Sequence, residues 1–225
     1  MRKKKRIVLW LLMLLILTGL FFLRQGIYFK HYANVDNGWN LILVNKNNYI
    51  PKDYKFELIE LSNGEKVDSR IYPELQKMFD AARAEGLQLH VSAGYRSEEE
   101  QQQLMEEKIE EFELEGHSSR EAKRLVEKWV AVPGTSEHQI GIAIDINADR
   151  YAASPALYSW LANNSYKYGF VQRYLPDKDS VTGISYEPWH YRYVGKEAAA
   201  EMHSSGVCLE EYIDRLANAD RKSVV

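Results

Sequence analysis

Between Tyr72 and Ala84 the apolar positions Leu75, Met78, Phe79 and Ala82 recur three and four residues apart, which is the spacing of one helix face. Gly86 follows as a stop signal. Other stretches alternate or run apolar instead. Asn40 to Asn45 (NLILVN) has the short branched run of a buried strand, and LQLHVSAGY reads as a second strand. Ser97 with Glu100 makes a capping-box pattern that opens a long polar helix, and Ser118 with Glu121 repeats it. Ser154 and Pro155 read as the cap and first residue of a helix carrying Leu157, Trp160 and Leu161 toward Gly169. YEPWHYRYV, aromatic and branched, predicts another strand, and a final helix is expected over 196–219. Strands and helices are mixed without regular alternation, so the fold class is α+β and not a doubly wound parallel sheet.

One run does not belong to this folded body. Residues 7–23 (IVLWLLMLLILTGLFFL) are uncharged and lie between a basic flank, 2–6, and Arg24. Seventeen uncharged, mostly apolar residues reach the short end of the spanning range, and the basic flank would stay cytoplasmic. No small-x-small cleavage site follows, so the expectation is a transmembrane signal anchor over 1–24, a polar tether over 25–38 and an extracytoplasmic domain over 39–225. Setting residues 1–24 aside leaves 23 basic against 32 acidic groups, a net of −9. Such a body repels polyphosphates, which excludes nucleic acid as a partner. The lone cysteine, Cys208, cannot form an internal disulfide, so an outer domain must rely on its core or on a metal.

Candidate chemistry gathers in three segments. In a strand through GIAIDI, Ile142, Ile144 and Ile146 would face the core, with Gly141, Ala143 and Asp145 on the other side. The small neighbours would leave room for a metal ion held by Asp145 and His138. On its own that pair is no more than a loop histidine and an exposed acid, but Tyr186-Glu-Pro-Trp-His190 adds a second imidazole and another carboxylate. Two imidazoles and one carboxylate with an open position are the usual makings of a catalytic zinc centre. Glu187 and His190 are three apart and would face opposite ways in a regular strand. Pro188 therefore suggests that Glu187 sits in a loop and His190 begins the strand. The assignment is Zn2+ on His138, Asp145 and His190, with Glu187 left to take a proton from water. Arg96, in Ser92-Ala-Gly-Tyr-Arg-Ser97, could hold a carboxylate or steady an oxyanion. His31, His90, His117 and His203 read as structural or solvated.

SAGYRSEEEQQQL, SEHQIGIAIDI and EPWHYRYVG resemble, in order, the signature segments of the VanY-type D-alanyl-D-alanine carboxypeptidases, zinc enzymes that trim peptidoglycan stem peptides. The resemblance runs from about Asn40 to Val207 and includes LILVNKNNYIPKDY. It implies a small, mainly antiparallel sheet at the zinc, ligands His138, Asp145 and His190, and Glu187 as catalytic base. It also implies Arg96, Gln101 and Ser136 as substrate-binding residues, and a location on the cell-wall side of a bacterial membrane. Glu98 stands where many relatives have an aromatic residue.

Rival chemistries lack their marks: no Ser-x-x-Lys, Lys-Thr-Gly or His-Glu-x-x-His occurs. Two alternatives stay open at this point. One is an LD-carboxypeptidase acting on tetrapeptide stems, and the other is a membrane-anchored wall-binding module without catalysis.

Overall fold

The computed structural model describes Trp10, Leu11, Met13 and residues 30–147 and 154–223. The expected anchor, apart from those first three positions, lies outside the described residues, among which no helix is long and apolar enough to cross a membrane. The chain divides into units at 1–31 and 32–225, and the larger one carries the fold.

That unit is α+β. An antiparallel hairpin of β1 (Leu58–Glu60) and β2 (Lys66–Asp68) precedes α1 (Tyr72–Ala84) and β3 (Val91–Ala93). Then come α2 (Glu98–Leu114), α3 (Ser119–Val126), a 3-10 turn at Glu137–Ile140 and β4 (Ala143–Ile146). The rest is α4 (Pro155–Asn164), a 3-10 turn (Ser165–Tyr168), β5 (Phe170–Tyr174), the single turn α5 (Asp179–Thr182), β6 (Glu187–Tyr193), α6 (Lys196–Ser205) and α7 (Leu209–Ser223). The main sheet has the order β3-β4-β6-β5, antiparallel at every pairing.

Local signals explain the helix starts. Ser97 Oγ accepts from the Glu100 amide while Glu100 returns a bond to the Ser97 amide, which closes the expected box. Ser118 and Ser154 cap α3 and α4 in the same way, without the reciprocal half. α1 buries Leu75, Met78 and Ala82 and ends where Gly86, at φ +81, lets the Leu87 amide reach back to Ala82 O.

Ile142, just before β4, and Ile144 and Ile146 within it, none with measurable exposure, face a core shared with α1, Phe170 and Tyr191. A second cluster packs Val171 and Val194 against Ala199, Met202, Leu209 and Tyr212 of the last two helices. Because side chains alternate, the sheet face opposite the first core carries Asp145 on β4, His190 and Arg192 on β6, and Arg173 on β5.

Several expectations need correction. Residues 40–45 form no strand: Ile42 and Val44 are buried as alternation demands, but the carbonyls of Asn40 and Ile42 accept from the Arg192 guanidinium and not from a neighbouring strand. The LQLHVSAGY strand shrinks to Val91–Ala93, because the Asn147 side chain bonds the backbone at Gln88 and His90. Glu187 lies inside β6 and not in a loop. The bend comes from a register shift, in which Gln172 pairs with Tyr191 and Tyr174 with Glu187. The final helix is two, because Gly206 at φ +64 breaks it.

Gly141 has a different purpose from the one its neighbours suggested. It precedes β4 at φ +69, and a Cβ there would lie 2.9 Å from the Asp68 amide nitrogen, which donates to Gly141 O at 2.8 Å. The residue thus turns the chain from the 3-10 turn into β4 and seats the hairpin. Gly141→Ala should lower the unfolding free energy by about 1–3 kcal/mol in urea titrations, and wild-type stability in that variant would show the left-handed turn to be dispensable.

Candidate metal centre

β4 and β6 pair so that Asp145 sits directly opposite His190. The 3-10 turn just before β4 folds His138 over the same spot, with the two imidazoles edge to face at 4.9 Å between ring centres. One ligand atom from each of His138, Asp145 and His190 lies within 4.8 Å of the others. His138 Nε2 is 3.5 Å and His190 Nδ1 3.0 Å from Asp145 Oδ1. Zinc ligated at about 2.0–2.1 Å in a tetrahedron separates its ligand atoms by about 3.3 Å. The two separations from Asp145 therefore match those of zinc ligands, and the third pair lies within 4.8 Å.

Each imidazole presents the nitrogen a metal needs. His138 Nδ1 donates to Gly94 O at 2.7 Å, which leaves Nε2 as the ring nitrogen turned toward Asp145. That carbonyl is accurately placed: Gly94 N–H donates to Glu65 at 2.7 Å, and any Cβ on Gly94 would fall 2.3 Å from Lys66 O. His190 turns Nδ1 to the site, and its Nε2 faces Glu137 Oε2 at 3.5 Å.

Asp145 supplies the negative charge that attracts a dication to the pocket. Burial works against ionising Asp145, yet His138 and His190 outweigh it and hold this carboxyl well below the usual range. Burial also disfavours charge on His190, but Asp145 and Glu137 overcome it and raise the imidazole to about 9. Glu187 Oε2 lies 3.9 Å from His190 Nδ1, near the triad without belonging to it. Burial pushes its carboxyl up to about 8, against the pull of His190 and with a push from Asp145. A carboxyl whose proton affinity is lifted this far toward neutrality is suited to accept and return a proton.

Arg96 reaches the site along the backbone, its N–H donating to His138 O at 3.2 Å. Its guanidinium donates to Gln101 Oε1 at 2.8 Å, and Gln101, 1% exposed, donates onward to Ala131 O. Gln101 is therefore engaged in holding Arg96. Ser136 is buried just before the 3-10 turn and does not cap it. Glu98 is exposed on the first turn of α2. A polar cavity of about 630 Å³ lies beside Arg96, lined also by Lys66, Ser92, Tyr95 and Glu100.

A model of VanY, D-alanyl-D-alanine carboxypeptidase, matches residues 64–196, which contain all of these groups. The chain belongs to this family. A D-alanyl-D-alanine carboxypeptidase of Enterococcus faecalis is 55% identical over 177 residues, 78% of this chain and 66% of that protein. The solved structure of a vancomycin-resistance D,D-pentapeptidase VanY variant from a VanB-type cassette, in complex with Zn(II), is 56% identical with a TM-score of 0.75, covering 78% of this chain and 99% of that one. VanYB in complex with D-alanine-D-alanine gives 55% identity and a TM-score of 0.76, over 78% and 98% of the two chains.

The VanY match encloses one group of charges that the sequence reading missed. Glu137, 2% exposed, accepts from Arg173 Nε at 2.8 Å and Arg192 Nη1 at 2.7 Å, both on its Oε1. The sequence offered only half of the signal: an arginine inside the aromatic strand 187–193, on the same side as His190, demands a buried partner but does not say which acid supplies it. Removing a charged metal ligand should show directly in affinity. Asp145→Asn should weaken zinc binding, measured by chelator competition, by more than the roughly 10–100-fold typical of losing a group behind a ligand, with the circular dichroism unchanged. Unaltered affinity would take Asp145 out of the site.

Proposed function

We propose that this chain is a zinc-dependent D-alanyl-D-alanine carboxypeptidase that removes the terminal D-alanine from peptidoglycan stem peptides. The observation carrying this reading is the convergence of His138, Asp145 and His190 with a free, buried carboxylate, Glu187, 3.9 Å from one of them. Membership of the VanY family and the D-alanine-D-alanine complex of a chain 55% identical support the substrate class.

Zinc, when bound, supplies Lewis acidity that polarises the scissile carbonyl and makes water acidic enough to attack near neutral pH. Glu187 takes the proton of the attacking water and delivers it to the leaving amine nitrogen. Arg96, a planar fork pinned by Gln101, pairs with the terminal carboxylate or with the oxygen that gains charge. Ser136, two residues before His138, contributes its hydroxyl to substrate binding.

The same proposal places the enzyme outside a membrane. The apolar run 7–23 behind a basic flank acts as an uncleaved anchor, and the acidic outer body works on wall peptides.

Glu187→Gln should retain zinc and lose about 10²–10⁴-fold in kcat, read as D-alanine released from a pentapeptide stem. Full activity in that variant would remove the proposed base. Ionised Glu187 is the competent form, and a dication beside it favours that form, so kcat/KM should rise with pH along an acid limb whose apparent pKa lies below about 8. Mass spectrometry of digested stems distinguishes the readings. Loss of D-alanine from pentapeptides supports the DD assignment, trimming of tetrapeptides alone would establish the LD alternative, and no release at any metal concentration would leave a binding module.

A further inference from the structure

Two buried polar atoms close to the site have no hydrogen-bond partner in the described structure: Glu137 Oε2 and His190 Nε2. They face each other at 3.5 Å. A buried donor and a buried acceptor left unpaired each cost about 1–3 kcal/mol, so the pair is explained if each is the other's partner. The carboxylate is aimed by its other oxygen. Oε1 is fixed by Arg173 and Arg192 from two different strands, which leaves Oε2 directed at the imidazole.

The two arginines are in turn held by segments outside residues 64–196, the part that matches the VanY family. Arg173 donates through Nη1 and Nη2 to both oxygens of Glu210, at 2.8 and 2.7 Å, in the first turn of α7. Arg192 Nη2 donates to the carbonyls of Asn40 and Ile42, at 3.1 and 2.8 Å, in the segment that takes the place of a strand. Arg173 and Arg192 are 1% and 0% exposed, so neither has solvent as an alternative partner.

We infer that Glu137 is the positioning residue for His190, receiving its Nε2 proton, and that its aim is set from outside the family segment by Glu210 through Arg173 and by residues 40–42 through Arg192. This rests on His190 being a zinc ligand, as proposed above. The arrangement fixes the imidazole tautomer so that Nδ1 carries the lone pair, and it makes the final helix part of the support of the metal site. Glu137 touches neither substrate nor reacting atoms, so its effect runs through the ligand.

Glu137→Gln and Glu210→Gln test the idea in the full chain, with zinc affinity by chelator competition and the His190 imidazole by ¹⁵N NMR of the zinc-loaded protein. The wild type should show a proton on Nε2. Glu137→Gln should weaken zinc binding by about 10–100-fold, lower kcat more than KM changes, and alter the His190 tautomer signal. Glu210→Gln should move the same readouts in the same direction by less. A merely structural role would lower the melting temperature of both variants and leave the zinc affinity of the folded protein where it was, and that result overturns the inference. Where Glu137→Gln does not fold, Glu210→Gln decides: wild-type zinc affinity and an unchanged imidazole signal overturn the coupling. Zinc binding by the wild type with no shift in either variant sinks this inference alone, whereas a wild type that binds no zinc sinks the proposed function with it.

Discussion

Asp145 and His190 face each other across an antiparallel ladder, and that register governs the rest of the site. A slip of one residue would carry Asp145 into the core and Ile144 to the metal side, because strand side chains alternate. Ile142, Ile144 and Ile146 prevent the slip: all three are fully buried, so the hydrophobic face fixes which way the carboxylate points. Chemistry and folding are thus tied together in four residues, and the 3-10 turn with Gly141 completes the geometry by bringing His138 over the strand.

The second constraint is electrostatic. Two guanidiniums and two carboxylates, those of Arg173, Arg192, Glu137 and Glu210, lie almost wholly out of water beneath the metal ligands. Burying ion pairs gains little net stability over apolar residues of the same size, while removing one member costs about 3–5 kcal/mol. A fold seeking stability alone would have filled this layer with hydrocarbon. The charges are understandable as a rigid frame, since both guanidiniums that bond Glu137 are fixed at the far side, Arg192 by backbone carbonyls and Arg173 by α7. Burial would ordinarily neutralise Glu137, and Arg173 and Arg192 keep it ionised, its carboxyl held far below the usual range.

How far the sequence disclosed this depends on how local each signal is. The caps at Ser97, Ser118 and Ser154 and the helix 72–84 were legible because their determinants lie within a few residues. Residues 40–45 alternate as a strand should, but whether an extended segment joins a ladder is settled by its neighbour, here an arginine some 150 positions away. The metal triad could be read because histidines and acids are scarce in apolar strands, and the VanY likeness reinforced it. Glu137 could not be read in the same way: beside His138 it looks like one more acid in an acidic chain, and only folding shows it sealed under His190. Gly94 and Gly141 illustrate the same limit, since their need for a missing side chain comes from Lys66 and Asp68 in a distant hairpin.

The central claim is spatial, and anomalous diffraction at the zinc absorption edge from crystals grown with the metal tests it most directly. The account predicts a single strong peak at about 2.0–2.2 Å from His138 Nε2, His190 Nδ1 and an Asp145 oxygen, with Glu187 outside bonding range. A peak at Cys208 or at the surface histidines, or a metal that bonds Glu187 in place of Asp145, would contradict it.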